Sequence, residues 1–109
     1  MNVRLYVWQR LTAALMVPLL LVHIAVIFYA SRKGLSAADI LARTRGSVSW
    51  TLFYGAFVSA VAVHVSIGLR TVLTEWTPLR GRARDFTVIA FGLLLAVLGF
   101  RAVLAVVLP

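Results

Sequence analysis

A histidine inside a long apolar segment is the first residue of this sequence that could do chemistry. His64 lies in the run Ala60-Val-Ala-Val-His64-Val-Ser-Ile-Gly68-Leu-Arg70, which belongs to a segment apolar enough to cross a bilayer. Ionisable side chains are costly inside a membrane, so each one is a functional hypothesis. Gly68 follows one helical turn later and removes side-chain bulk beside the imidazole. A bulky flat ligand needs that arrangement when a helical histidine binds its metal.

The spacing alone leaves two interpretations of His64 open. One is an imidazole that hydrogen-bonds a serine or a carbonyl of a neighbouring helix. The other is a metal or haem ligand, since a neutral imidazole ligates iron and the macrocycle is apolar. Haem propionates favour arginine at a membrane edge, and Arg10 and Arg70 are then the candidate partners.

A second histidine, His23, lies in the first apolar segment. At 1.5 Å per residue it is roughly 20 Å beyond Arg10, and His64 is roughly 13 Å from the same side. A haem bound by both histidines of one chain is therefore possible. Otherwise His23 is a buried, hydrogen-bonded residue near the haem, or near a second lipid or quinone pocket.

A second polar cluster, Glu75 and Trp76, ends the middle apolar segment. An indole at a membrane boundary is often an interface anchor, but its N–H can also donate to a quinone oxygen. Glu75 could carry a proton or pair with Arg10 or Arg70. Near the N-terminus Tyr6 also suits a membrane interface.

The elements that must position these residues are membrane helices. The chain has 109 residues, 62% of them hydrophobic and 13% charged, whereas soluble domains have about 45–50% and about 25%. Apolar runs of about 20 residues cross a bilayer as helices. We predict an all-α membrane protein with one transmembrane domain over residues 1–109 and spans at about 11–30, 50–73 and 86–108. Three such helices form only a small bundle, so we expect a partner with more helices.

Smaller signals refine this plan. Pro18 is expected to kink the first span. We interpret this span as a transmembrane helix that stays in the protein, rather than as a signal peptide that is removed. Ser36 and Asp39 match a capping box, which predicts a short surface helix in the first connection. Small residues at helical spacing predict close helix contacts along the second span. They are Gly55, Ser59, Ala62 and Ser66.

Charge and cysteine content exclude several classes of protein. The net charge is +8, but most arginines flank apolar runs, where they set orientation and meet lipid head groups. We therefore predict no nucleic-acid partner, and the positive-inside rule favours a cytoplasmic N-terminus. The chain has no cysteine, so iron–sulfur clusters and any disulfide are excluded from it. In a redox complex, the clusters and the flavin would lie on partner chains.

The motifs in their order resemble a known family. The segment His64-x-x-x-Gly68-x-x-x-Val72-Leu-Thr-Glu75-Trp76-x-Pro78 is similar to the second helix of the hydrophobic membrane-anchor subunits of succinate dehydrogenase and fumarate reductase, the complex II family. The start Arg10-Leu-Thr-Ala is similar to the first helix of the same subunits. The part from His64 to Arg70 is equally similar to the sister cytochrome b subunit, so which of the two anchors this is stays open.

The resemblance implies roles for single residues. His64 would be an axial ligand of haem b, and so bind its iron, with the second ligand coming from the partner anchor subunit. Arg10 would face the haem propionates or the quinone, and the quinone-binding residues would be Arg10, Trp76, Tyr6 and Glu75. Trp76 stands where the family usually has a tyrosine that bonds the quinone carbonyl, and Glu75 replaces the usual aspartate. His23 has no counterpart, and is the less favoured axial ligand.

The resemblance also implies the setting of the chain. It would be a multi-pass subunit of the cell inner membrane that takes part in electron transport and the tricarboxylic acid cycle. Its cofactors would be haem b and ubiquinone or menaquinone, with FAD and iron–sulfur clusters on partner chains. A second anchor, an iron–sulfur subunit and a flavoprotein would be its partners, and this chain would do no dicarboxylate chemistry itself.

Two alternatives stay open at this point. One is a haem-free anchor of a related flavin dehydrogenase or fumarate reductase. The other is a small structural or transport membrane protein. Proton-coupled transporters usually need a carboxylate within the membrane, whereas Asp39, Glu75 and Asp85 are all predicted in loops or at edges.

Overall fold

The fold is a bundle of long helices, as the composition predicts. A computed structural model describes residues 2–109. Within them lie α1 (Val3–Lys33), α2 (Ala37–Thr44), α3 (Val48–Trp76) and α4 (Gly81–Val107). The described residues form no strand, and α1, α3 and α4 are each long and apolar enough to cross a membrane. The prediction of an all-α protein with three candidate membrane spans is confirmed.

The helices extend beyond the predicted spans. α1 begins at Val3 because the Asn2 side chain accepts the Leu5 N–H at 2.8 Å and caps the first turn. It continues through Pro18, whose ring removes the hydrogen bond to the carbonyl four residues earlier. It ends at Gly34, which has the left-handed φ of +66° that glycine adopts without a steric cost. Its 31 residues span about 46 Å, more than the hydrocarbon thickness of about 30 Å.

The middle helix α3 packs against both α1 and α4. Its contact with α4 includes Ser66, one residue of the predicted stripe. A Cβ added to Gly92 would overlap Ser66, and a Cβ added to Gly99 would lie 2.5 Å from Cγ1 of Val58, which is outside the stripe. Glycine at these two positions of α4 lets the helices approach closely.

The short helix α2 covers the end of the bundle where α4 finishes. Its capping box is present as predicted, with Ser36 and Asp39 bonding each other's backbone N–H. The Thr44 hydroxyl donates to the Val106 carbonyl at 2.6 Å, and the Gly46 N–H donates to the Val107 carbonyl at 2.8 Å. Helix ends leave such carbonyls without partners, so these two bonds fix α2 onto α4. We call this end of the molecule the α2 end, and the opposite end, with the α3–α4 connection, the loop end.

Candidate functional site

His64 contacts α1 through one hydrogen bond. Its Nδ1 lies 3.2 Å from the hydroxyl oxygen of Thr12. Thr12 is buried at 6% exposure, and its hydroxyl lies 2.7 Å from the Trp8 carbonyl, one turn earlier on α1. The contact joins the middle of α3 to the middle of α1.

The hydrogen-bond distances favour one tautomer of His64. A threonine hydroxyl has one proton, and the shortest contact of the Thr12 hydroxyl is with the Trp8 carbonyl at 2.7 Å. If Thr12 donates there, it accepts from His64, and the proton of the neutral imidazole is then on Nδ1 with the lone pair on Nε2. Among residues 2–109 the buried side-chain atoms without a partner are Gln9 Oε1 and His23 Nδ1, so Nε2 of His64 is not sealed inside the chain.

This arrangement matches the way proteins prepare a histidine for a metal. A ligating imidazole almost always donates its second N–H to an oxygen, which fixes the ring and raises the basicity of the ligand nitrogen. The Thr12 hydroxyl would have that role if His64 bound a metal. The residues present therefore fit a haem ligated by Nε2 of His64.

Gly68 lies one helical turn from His64 and faces α1. A Cβ at this position would meet Nε2 of Gln9 at 3.7 Å, an ordinary contact distance, so an alanine would also fit against Gln9. Among residues 2–109 Oε1 of Gln9 is buried without a partner.

His23 lies in a separate layer of the molecule. Its imidazole makes edge contacts with the rings of Tyr54 and Phe57 on α3, with centroids 6.1 and 5.4 Å apart. His64 pairs with Thr12, eleven residues before His23 on α1, which is about 16 Å along the helix. One iron atom cannot bind both histidines of a single chain.

The predicted quinone residues form two groups at the loop end. On α1 the Arg10 guanidinium lies over the Tyr6 ring at 5.0 Å, and both side chains are exposed. On α3 Glu75 and Trp76 occupy the last turn, and Trp76 is 81% exposed. Among residues 2–109 Glu75 forms no ion pair, since the salt bridge described is Arg84 with Asp85. Glu75 is therefore not paired with Arg10 or Arg70.

The connection between α3 and α4 is short and held by arginine. Arg80 donates to the carbonyls of Thr77 and Leu79 at 2.6 and 2.8 Å. Arg84 donates to Thr74 at 3.2 Å as well as to Asp85. These bonds fix the turn that follows Trp76.

Arg70 is half-buried on α3, six residues after His64.

The comparison with protein families identifies the chain. The family model of the succinate dehydrogenase/fumarate reductase transmembrane subunit matches residues 1–106. The chain belongs to this family. No curated protein and no solved structure gives a significant match. The complex II membrane subunit predicted from the motifs is confirmed, and with it an association with other subunits of such a complex in a membrane.

The sequence singles out His64 but not the residues that contact it. Thr12 belongs to the Arg10-Leu-Thr-Ala motif, and its position gives no sign that it contacts the histidine. A threonine in a membrane helix ordinarily bonds its own preceding turn, as Thr12 also does, so nothing in the sequence pointed across to α3. Gln9 gave no signal either, because it lies among interfacial polar residues. Among residues 2–109 no cluster of three or more His, Cys, Asp or Glu could hold a metal ion.

Proposed function

We propose that this chain is a membrane-anchor subunit of a succinate:quinone oxidoreductase and that it helps to bind haem b and quinone. The observation that carries the proposal is the bond from His64 Nδ1 to Thr12, which leaves Nε2 as a free ligand nitrogen. Family membership supports the rest, because this family is the membrane subunit of a complex that is generally quinone-linked.

In this proposal His64 is one axial ligand of the haem and the partner anchor subunit supplies the other. The distance between His64 and His23 supports this division, since one chain cannot supply both ligands to one iron. Arg10 and Arg70 are the candidate cations for the propionates. When bound, haem supplies one-electron transfer, and the chain orients the iron ligand and fixes its proton on the opposite nitrogen.

The quinone is proposed to bind at the loop end, between the two groups of exposed polar side chains. Arg10 offers a guanidinium already held in place by the Tyr6 ring. Trp76 offers an indole N–H on an exposed side chain, and Glu75 beside it is exposed and can carry a proton. Gly68 of α3 faces Gln9 of α1, the residue next to Arg10. Trp76 lies eight residues after Gly68, about 12 Å further along α3, so Arg10 and Trp76 are separated along the bundle. A partner subunit is therefore expected to complete the pocket.

The loop end is also the proposed docking face for the iron–sulfur subunit and, through it, the flavoprotein. Of the three arginines in the α3–α4 connection and the first turn of α4, Arg80 and Arg84 bond groups of this chain. Arg82 is exposed and available to a partner or to anionic lipid. With the positive-inside rule this face and the N-terminus would be cytoplasmic, in the cell inner membrane.

Purification of the tagged chain from membranes tests the proposal. We expect a flavoprotein and an iron–sulfur protein to co-purify, with succinate-driven quinone reduction. Arg10→Gln should raise the KM for quinone about tenfold or more, because a charged hydrogen bond is lost. Arg4→Gln is the matched control, since Arg4 is also exposed on α1 but carries no predicted role. Purification of the chain without either protein would contradict the proposal.

A further inference from the structure

A narrow slot beneath α2 has no part in the proposed function. Its volume is about 290 Å³, and it lies between the second half of α1, the short helix α2 and the start of α3. Its α1 wall runs from Val22 to Ala30, about 12 Å along the helix. That length is close to half of the hydrocarbon thickness of about 30 Å. The slot, which we call the α2 slot, therefore extends through most of one leaflet of the membrane.

The α2 slot opens sideways out of the bundle. Val22 and Tyr29 of its wall are each 45% exposed, and the chain lies in a membrane, so lipid borders the opening. Its volume divided by its length gives a mean cross-section of about 24 Å². An α-helix with its side chains is about 10–12 Å across, which needs about 80 Å² or more. The slot therefore fits a single extended chain and not a partner helix.

The side chain of Arg43 brings a positive charge to the wall of the slot. Its guanidinium lies 5.6 Å from the centroid of the Tyr29 ring, in a cation–π contact that helps to position it. Among residues 2–109 the salt bridge described joins Arg84 to Asp85, so Arg43 is not paired with a carboxylate of this region. A planar guanidinium binds phosphate through two parallel N–H groups. Arg43 is therefore suited to an anionic phosphate group.

The region around Arg43 is basic. Arg32 and Lys33 end α1, and Arg45 follows α2. The one acid of this region, Asp39, already accepts a backbone N–H in the capping box of α2. Basic clusters of this kind beside membrane helices attract anionic lipid head groups. The charge of the region thus favours an anionic ligand over a neutral or zwitterionic one.

Aromatic side chains mark the membrane boundary at the charged end of the slot. Trp50 and Tyr54 stack with their ring centroids 5.5 Å apart, and both line the slot. Tryptophan and tyrosine are enriched at the level of the lipid head groups. Farther from α2 the wall is aliphatic and includes Val22 and Val26 of α1. The slot therefore has one end at the head groups and the other among acyl chains.

We propose that the α2 slot binds an anionic phospholipid of the membrane. One acyl chain lies in the slot between α1 and α3, and the phosphate accepts hydrogen bonds from the Arg43 guanidinium. The bound lipid fills the gap beneath α2 and so holds this helix at the membrane surface. The proposal requires that the chain lies in a membrane, and it does not depend on the proposed haem or quinone.

Native mass spectrometry of the intact complex, purified and then delipidated, tests the proposal. Phosphatidylglycerol and phosphatidylcholine with the same acyl chains are added back separately. We expect the wild-type complex to bind phosphatidylglycerol more tightly than phosphatidylcholine. Arg43→Gln should weaken the binding of phosphatidylglycerol about fivefold, the effect of one cation near an anionic surface, and the preference should disappear.

The matched control for the charge is Arg32→Gln. Arg32 lies at the same end, and its guanidinium is likewise over an aromatic ring, that of Phe28 at 5.8 Å, but it does not line the slot. This variant should keep most of the preference. An unchanged midpoint of thermal denaturation without added lipid shows that both variants fold.

A second pair of variants tests the place of the acyl chain. Ala25 lines the slot, and Ala25→Phe would fill it with a ring, so the variant should lose the bound lipid. Ile24 is exposed on the same turn of α1 but does not line the slot. Ile24→Phe should therefore retain the lipid.

Several results would overturn the inference. They are equal affinity of the wild type for the two lipids, an unchanged preference in Arg43→Gln, an equal loss in Arg32→Gln, and full lipid binding in Ala25→Phe. Glycerol phosphate that competes as well as the whole lipid would also overturn it, because the slot would then have no part in binding. So would a photoactivatable group attached at Ala25 that crosslinks to a protein subunit instead of to lipid.

Discussion

Thr12 is the residue through which the proposed haem ligand is most sharply tested. Thr12→Val replaces the hydroxyl by a methyl group of the same shape, so the buried position stays filled. Nδ1 of His64 then loses its acceptor at 3.2 Å. Leaving a buried donor without a partner costs about 1–3 kcal/mol, and loss of a supporting partner typically lowers metal affinity about 10- to 100-fold. We expect haem affinity to fall in that range.

The assay is the haem content of the purified complex, measured with its reduction potential. Thr12→Ser keeps the hydroxyl and should retain the haem. Thr71→Val is the matched control, because the Thr71 hydroxyl also bonds the carbonyl one turn earlier but contacts no histidine. Full haem content and an unchanged potential in Thr12→Val would refute the reasoning, as would an equal loss in Thr71→Val.

Two further predictions concern the helices that hold the site. Gly99→Ala should lower the midpoint of thermal denaturation, because the new Cβ lies 2.5 Å from Val58 and overpacking costs about 1–3 kcal/mol. Gly55→Ala is the control, since its Cβ would meet Phe100 only at 4.0 Å, and an equal loss there would contradict the packing. Hydrogen bonding from the Ser36 N–H holds the pKa of Asp39 below its ordinary value. The cap is therefore present above the unfolded pKa and lost as the pH falls through the folded one, below about pH 4. The protection of amides 37–44, measured relative to their intrinsic exchange rates at each pH, should fall there, and Asp39→Asn should remove this pH dependence; the same pH response in the variant would contradict this.

The helical plan was predictable because hydropathy and caps are local signals. The three apolar runs and the capping box at Ser36 occur as predicted, and the small-residue stripe contacts α4 closely at Ser66. The helix ends differed because a hydropathy window measures apolar length, whereas a helix ends where its terminal N–H and C=O groups find partners. Asn2 extends α1 toward the N-terminus in this way, and the Thr77 N–H bonds the Leu73 carbonyl at the end of α3.

The site was predictable only in part. A histidine in an apolar run is visible in the sequence, and so is a motif at fixed spacing. The partner of that histidine lies 52 residues away on another helix, and no local pattern encodes such a contact. The same limit applies to Gly68, whose open side faces Gln9 of α1, and to the separation of the two histidines.

A reduced-minus-oxidised visible spectrum of the purified complex, with His64→Ala and His23→Ala beside the wild type, tests the assignment of the haem ligand most directly. We predict a b-type α-band in the wild type that is lost in His64→Ala and kept in His23→Ala. A band that survives in His64→Ala, or that His23→Ala removes, would contradict the assignment. The absence of any band from the wild-type complex would instead indicate a haem-free anchor.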